Sequence, residues 1–72
     1  MPDRPLTTRA QAALTLADAA AARLGHEYIG TEHLLVGLLE EKTGPAAQLL
    51  NHLGITVERV REEWHGITGT QL

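Results

Sequence analysis

Four histidines, His26, His33, His52 and His65, are the side chains of this 72-residue sequence best suited to hold a metal. Their spacing argues against it. No pair has the i,i+4 separation that sets two imidazoles on one helix face, and with no cysteine there is no thiolate to complete a site. Nucleophilic catalysis has as little support: the sequence holds neither serine nor cysteine, and nothing activates a threonine. The pairs Glu40-Glu41 and Glu62-Glu63 read as solvated faces and not as an acid/base dyad. The remaining chemistry sits in the stretch from Gly25 to Leu39, G-H-E-Y-I-G-T-E-H-L-L-V-G-L-L. It ends one helix and starts another, with Glu32 and His33 in the new helix's first turn. A carboxylate there is favoured by the helix dipole alone, so Glu32 reads equally as a structural residue or as a ligand contact. His33 reads as a packing or capping residue.

The elements that position this stretch follow from periodicity and punctuation. Pro2 and Pro5 make residues 1–6 a flexible arm. Thr8 with Gln11 fits a capping box, and Thr7 is the cap if the helix begins one residue earlier. Leu6 is placed to act as a hydrophobic staple. The first helix then runs to about Leu24 and stops at a left-handed Gly25. Its inner face reads as Ala10, Ala13, Leu14, Ala17, Ala21 and Leu24. A second apolar stripe, Ala12, Leu16 and Ala19, lies nearly opposite; it is either a second buried face or exposed alanine serving as a helix former.

Tyr28 and Ile29 are expected to turn inward, and Thr31 to cap a helix over about Glu32–Glu41. Leu34, Leu35, Leu38 and Leu39 share its broad apolar face. Gly37 in mid-helix costs about 1 kcal/mol against Ala, which points to another helix backbone passing close by. Gly44-Pro45 starts a third helix with Ala46, Leu49, Leu50 and Leu53 on one face and a stop at Gly54. Thr56 caps a fourth, striped by Val57, Val60, Trp64 and Ile67, with Arg59 and Glu63 spaced to pair. Trp64 is expected in the core with a partner for its N–H. Residues 69–72 form a loose tail. The fold class is therefore all-α, a compact bundle of four short helices over residues 7–68.

Ten of the apolar residues are alanines, which fill little volume. A chain this short has a thin stability margin, and association is one way to widen it. The net charge of −3 disfavours nucleic acid, helix-turn-helix DNA binding included. No apolar run reaches the roughly 18 residues of a membrane span, and no secretory signal is visible at the start. A cytoplasmic location is the default.

The motif Leu6-Thr7-x-Arg9-Ala10, then Arg23-Leu24-Gly25-His26-x-Tyr28-Ile29-Gly30-Thr31-Glu32-His33-Leu34-Leu35-x-Gly37-Leu38-Leu39, resembles the Clp N-terminal repeat. Gly44-x-Ala46-Ala47 and Leu53-Gly54-Ile55 extend the match, which covers about Leu6 to Trp64. This repeat forms the amino-terminal domain of ClpA, ClpB and ClpC unfoldases, and the wording is most similar to the ClpC type. The family domain carries two repeats about a pseudo-twofold axis; this chain carries one. It also lacks the G-x-x-x-x-G-K-[ST] loop of the family's ATPase modules, so it is not expected to hydrolyse ATP.

The resemblance implies a non-catalytic module that docks substrates or adaptors of a Clp protease, with a Clp unfoldase as a further partner and no cofactor. In some members the domain reads phosphoarginine. By resemblance, Glu32 matches the carboxylate that holds the guanidinium and Thr7 the residue that meets the phosphate. A helix start suits an anion, and a carboxylate suits a guanidinium. The basic residue that the family draws from the sister repeat corresponds here to the uncharged Gln11, with Arg9 placed to compensate. The ligand-binding candidates are thus Thr7, Arg9, Gln11 and Glu32. A homodimer is the expected replacement for the missing repeat, with Ala12, Leu16 and Ala19 as interface candidates. The alternative function is a structural homodimerisation unit without a ligand.

Overall fold

A computed structural model describes residues 4–69. They form four helices: α1 (Thr8–Arg23), α2 (Thr31–Glu41), α3 (Pro45–His52) and α4 (Val57–Thr68), with no strand among the described residues. The expected all-α bundle is what the chain adopts. Of the expected arm, residues 4–6 are exposed and non-helical; residues 1–3, and 70–72 of the expected tail, lie outside the described residues.

Thr7 is the cap of α1, its Oγ1 accepting the Ala10 N–H at 3.1 Å. The helix ends as its sequence predicts. Gly25 takes φ +74°, and the His26 N–H reaches back to the Ala21 carbonyl at 2.9 Å. α4 begins on Thr56, whose Oγ1 accepts the Arg59 N–H at 3.2 Å, and α3 begins with Pro45 in its first turn.

The core lies where α1 crosses α2. Ala13, Ala17, Ala20 and Ala21 are buried against Val36, Gly37 and Leu39. The two backbones touch at Gly37. A Cβ there would run into the Ala13 carbonyl oxygen and stand 2.9 Å from the Ala17 nitrogen. Alanines on one helix and a glycine on the other let the axes approach more closely than larger side chains allow. The expectation of a close backbone at Gly37 is met, and Ala20 joins the core beyond the face read from periodicity.

Several inward assignments are corrected. Leu34 and Leu38 are exposed, because the contact at Gly37 turns the arc of His33, Val36 and Gly37 toward α1. In α3 the buried residue is Ala47 and Leu50 is half-buried, whereas Ala46, Leu49 and Leu53 face outward. Tyr28 is 57 % exposed and Ile29 is exposed too, so neither plugs the bundle. Leu6 is exposed and makes no tight staple. Along α4, Val57, Val60 and Trp64 are half-buried while Ile67 is 81 % exposed. Trp64 is less enclosed than expected, yet its Nε1 is buried without a hydrogen-bond partner among the described residues. The ion pair found is Arg23 to Glu40 at 3.6 Å, and not the spaced pair Arg59 and Glu63.

Candidate functional site

The turn between α1 and α2 is built around His33, the one buried polar residue among those described, with no exposed surface. Its Nδ1 accepts the Gly30 N–H at 2.7 Å, which makes Gly30 the cap position; Thr31 is the first helical residue and makes no cap. Its Nε2 lies 2.9 Å from Nδ1 of His26. His26 in turn stacks on Tyr28, with ring centroids 5.0 Å apart and planes 8° from parallel. Both nitrogens of His33 are thereby used, as a buried polar ring requires, and the reading of His33 as a packing and capping residue matches its position. With Nδ1 and Nε2 both engaged inside the protein, this histidine has no nitrogen left for a metal.

Thr7 and Arg9 line a small hollow of about 160 Å³ at the start of α1. Its other walls include Leu38 and Glu41 of α2 and Gly44 before α3. Glu41 organises this corner. Its carboxylate accepts the Thr43 hydroxyl and, at 2.7 Å, the Gly44 N–H. These bonds, the Thr43 hydroxyl first, together with the nearby Arg9 guanidinium, hold the Glu41 carboxyl below the usual carboxylate range. Gln11 is exposed on α1, its backbone carbonyl taken by the Thr15 hydroxyl at 3.1 Å.

Glu32 lies elsewhere. It is half-buried at the opposite end of α2 and borders a groove of about 300 Å³ between α2 and α4. Leu35, Val36, Val60 and Trp64 form its apolar walls. Glu32 and Glu41 stand nine residue steps apart, a rise of about 13.5 Å along the helix at about 1.5 Å per step. The structure therefore brings Thr7 and Arg9 together in one hollow and sets Glu32 in another. Of the dimer candidates, Ala12 and Ala19 are exposed and Leu16 is half-buried.

Sequence reasoning missed Glu41, whose role depends on the α2–α3 corner, and missed the α2–α4 groove. The stripe through Val60 and Trp64 was the available signal for that groove, but it reads as ordinary core unless one knows that α4 closes only partly on α2.

Comparison with known proteins agrees with this architecture. The chain is 44 % identical over 57 residues to the chaperone protein ClpB of Oceanobacillus iheyensis, covering 79 % of this chain and 7 % of that protein. The negative regulator of genetic competence ClpC/MecB of Bacillus subtilis gives the same identity and coverage, 44 % over 57 residues, 79 % and 7 %. The ATP-dependent Clp protease ATP-binding subunit ClpC of Staphylococcus aureus is 48 % identical over 64 residues, 89 % of this chain and 8 % of that protein. The chain thus spans less than a tenth of the length of each of these relatives. The Clp repeat (R) N-terminal domain matches residues 5–71, a span that takes in all four helices. An α1–α2 pair locked at Gly37, a histidine-capped turn and this match over nearly the whole chain place the protein in the Clp repeat (R) N-terminal domain family.

Proposed function

We propose that this chain is a non-catalytic docking module that binds protein substrates or adaptors of a Clp protease system. The observation that carries the reading is the family match over residues 5–71, because the domain so matched is the protein-interaction part of Clp ATPases. The chain's exposed apolar side chains on α2, α3 and α4 supply contact surface of the kind docking uses. A cytoplasmic location accords with relatives that are Clp proteins, and no helix among the described residues is long and apolar enough to cross a membrane.

Phosphoarginine is the finer ligand reading. Its phosphate is bonded directly to a guanidinium nitrogen, so the groups holding the two parts must lie within a few ångströms of each other. Thr7 and Glu32 of one chain line separate hollows. A site using both therefore takes Thr7 and Arg9 from one copy and Glu32 from a second, the arrangement a homodimer provides. Exposure of Leu49, Leu53 and Ile67 favours such association, and also favours the second reading, a homodimerisation unit without a ligand.

The test is calorimetric titration of the chain with free phosphoarginine and with a denatured model protein carrying or lacking the mark, alongside light scattering over a dilution series. Binding of the denatured protein supports the docking function, and a preference for the marked form supports phosphoarginine reading. A stable dimer that binds neither establishes the second reading instead.

A further inference from the structure

The last helix is held differently from the rest of the molecule. Every buried residue among those described lies between Ala13 and Ala47, and α4 contributes none. Of its side chains, Val57, Val60 and Trp64 are half-buried, while Ile67 lies open. Among the described residues α4 packs on α2 and on no other helix. Two hollows border that contact, one of about 300 Å³ by Leu35 and Val60 and one of about 420 Å³ by Leu39 and Val57. The contact also carries a penalty. The Trp64 Nε1 is buried with no hydrogen-bond partner among the described residues, and release into water satisfies it.

The connection to α3 is built as a hinge. Gly54 takes φ +79°, and nothing lies within 4 Å of a Cβ built there. Only Ile55 and Thr56 stand between this turn and the first residue of α4. The ends of α4 close on the helix itself. Thr56 Oγ1 accepts the Arg59 N–H at 3.2 Å, and the Gly69 N–H reaches the His65 carbonyl at 2.8 Å.

We propose that α4 is a strap that leaves α2 as one unit, turning about Gly54, while α1, α2 and α3 stay folded. Proteins open locally in cooperative units, and an element with few buried contacts opens first. Twelve residues make a marginal helix in water without tertiary support, so the released strap melts. Opening bares Leu35 and Val36 and gives the chain a second form with more apolar surface on α2. The hold of Val57, Val60 and Trp64 on α2 sets the population of that form.

Amide hydrogen exchange of the full chain, read residue by residue by NMR at several low urea concentrations, tests this. The amides from Val60 to Trp64 are expected to share one protection, at least about ten-fold below the most protected amides of α1 and α2, and to lose it together as urea rises. Two cap variants, each checked for folding by circular dichroism, separate the units. Thr7→Ala removes the cap of α1 and is expected to lower protection in α1 and α2 about five-fold. It leaves the α4 amides unchanged, because the closed and open forms lose the same cap. Thr56→Ala removes the cap of α4 and is expected to lower protection of the α4 amides about five-fold.

The proposal is overturned if Thr7→Ala lowers protection in α4 and in α1–α2 by the same factor, which shows that α4 opens only when the whole chain unfolds. Amides of α4 as protected as those of α1 overturn it too. So does protection that falls step by step from Val60 to Trp64 without dependence on urea, the pattern of an end that frays.

Discussion

His33 donates from Nε2 to Nδ1 of His26 across 2.9 Å, and the Gly30 N–H occupies its other nitrogen at 2.7 Å. The second bond fixes the direction of the first. Since Nδ1 of His33 accepts, its proton is on Nε2, and His26 must receive it on an unprotonated Nδ1. One buried ring thus joins the end of α1, the turn and the start of α2.

Removing that ring is expected to be severe. His33→Ala leaves the Gly30 N–H unsatisfied, frees His26 and opens a cavity beneath the turn. A loss of about 2–4 kcal/mol is expected from these mechanisms combined, measured as a lower urea midpoint with an unchanged slope. His52→Ala, at an exposed position, serves as the control and is expected to lie within about 0.5 kcal/mol of the parent.

Two glycines inside helices should respond to alanine with opposite signs. At Gly37 the added methyl meets backbone of α1, which cannot give way as a flexible side chain can. Gly37→Ala is expected to destabilise by about 2 kcal/mol or more despite the better helix propensity. Gly66 sits within α4 with nothing inside 4 Å of a built Cβ. Gly66→Ala is expected to stabilise by about 0.5–1 kcal/mol. Thermal melts of the two variants decide both, and equal shifts would refute the close approach.

The Glu41 corner predicts a pH dependence. The Glu41 carboxyl titrates lower in the folded chain than the ordinary 4.5, owing first to the Thr43 hydroxyl bond. The unfolded chain therefore takes up this proton before the folded one does as pH falls. The stabilisation is fully present above the unfolded value and is lost as pH drops through the folded one. Glu41→Gln should flatten the decline in stability below about pH 4.5, read from denaturation curves between pH 3 and 7. An unchanged slope would show that other carboxyls set the acid limit.

Glu32→Ala is expected to leave the fold nearly intact, because the Glu32 side chain has no hydrogen bond or ion pair among the described residues. Its loss removes only a favourable first-turn charge, worth about 0.3–1 kcal/mol. Binding of a guanidinium-bearing ligand should fall at least ten-fold. Calorimetry on a variant with a parent-like melt checks this, and unaltered affinity would remove Glu32 from the ligand site.

The sequence by itself determined the four helices and most of their ends. Thr7, Gly25, Pro45 and Thr56 act within a few residues of themselves, through caps, a left-handed turn and a fixed φ, so their effect is legible locally. Gly37 announced a close neighbour, because a glycine in mid-helix needs a reason. The motif residues from Leu6 to Ile55, with their core from Gly25 to Leu35, carried the resemblance to the family. Periodicity also gave the inner side of α1, where Ala13, Ala17 and Ala21 are buried, but tertiary structure alone decided which sides of α2 and α3 face inward. In α2 four leucines outnumber the other apolar residues, but hydrophobicity does not say where the closest helix lies. Contact at Gly37 fixed that, turning His33 and Val36 in and Leu34 and Leu38 out. The same holds for the site. Thr7 and Glu32 are separated by the length of α2, a distance that no spacing along the chain reveals, since it follows from how α1 and α2 lie against each other.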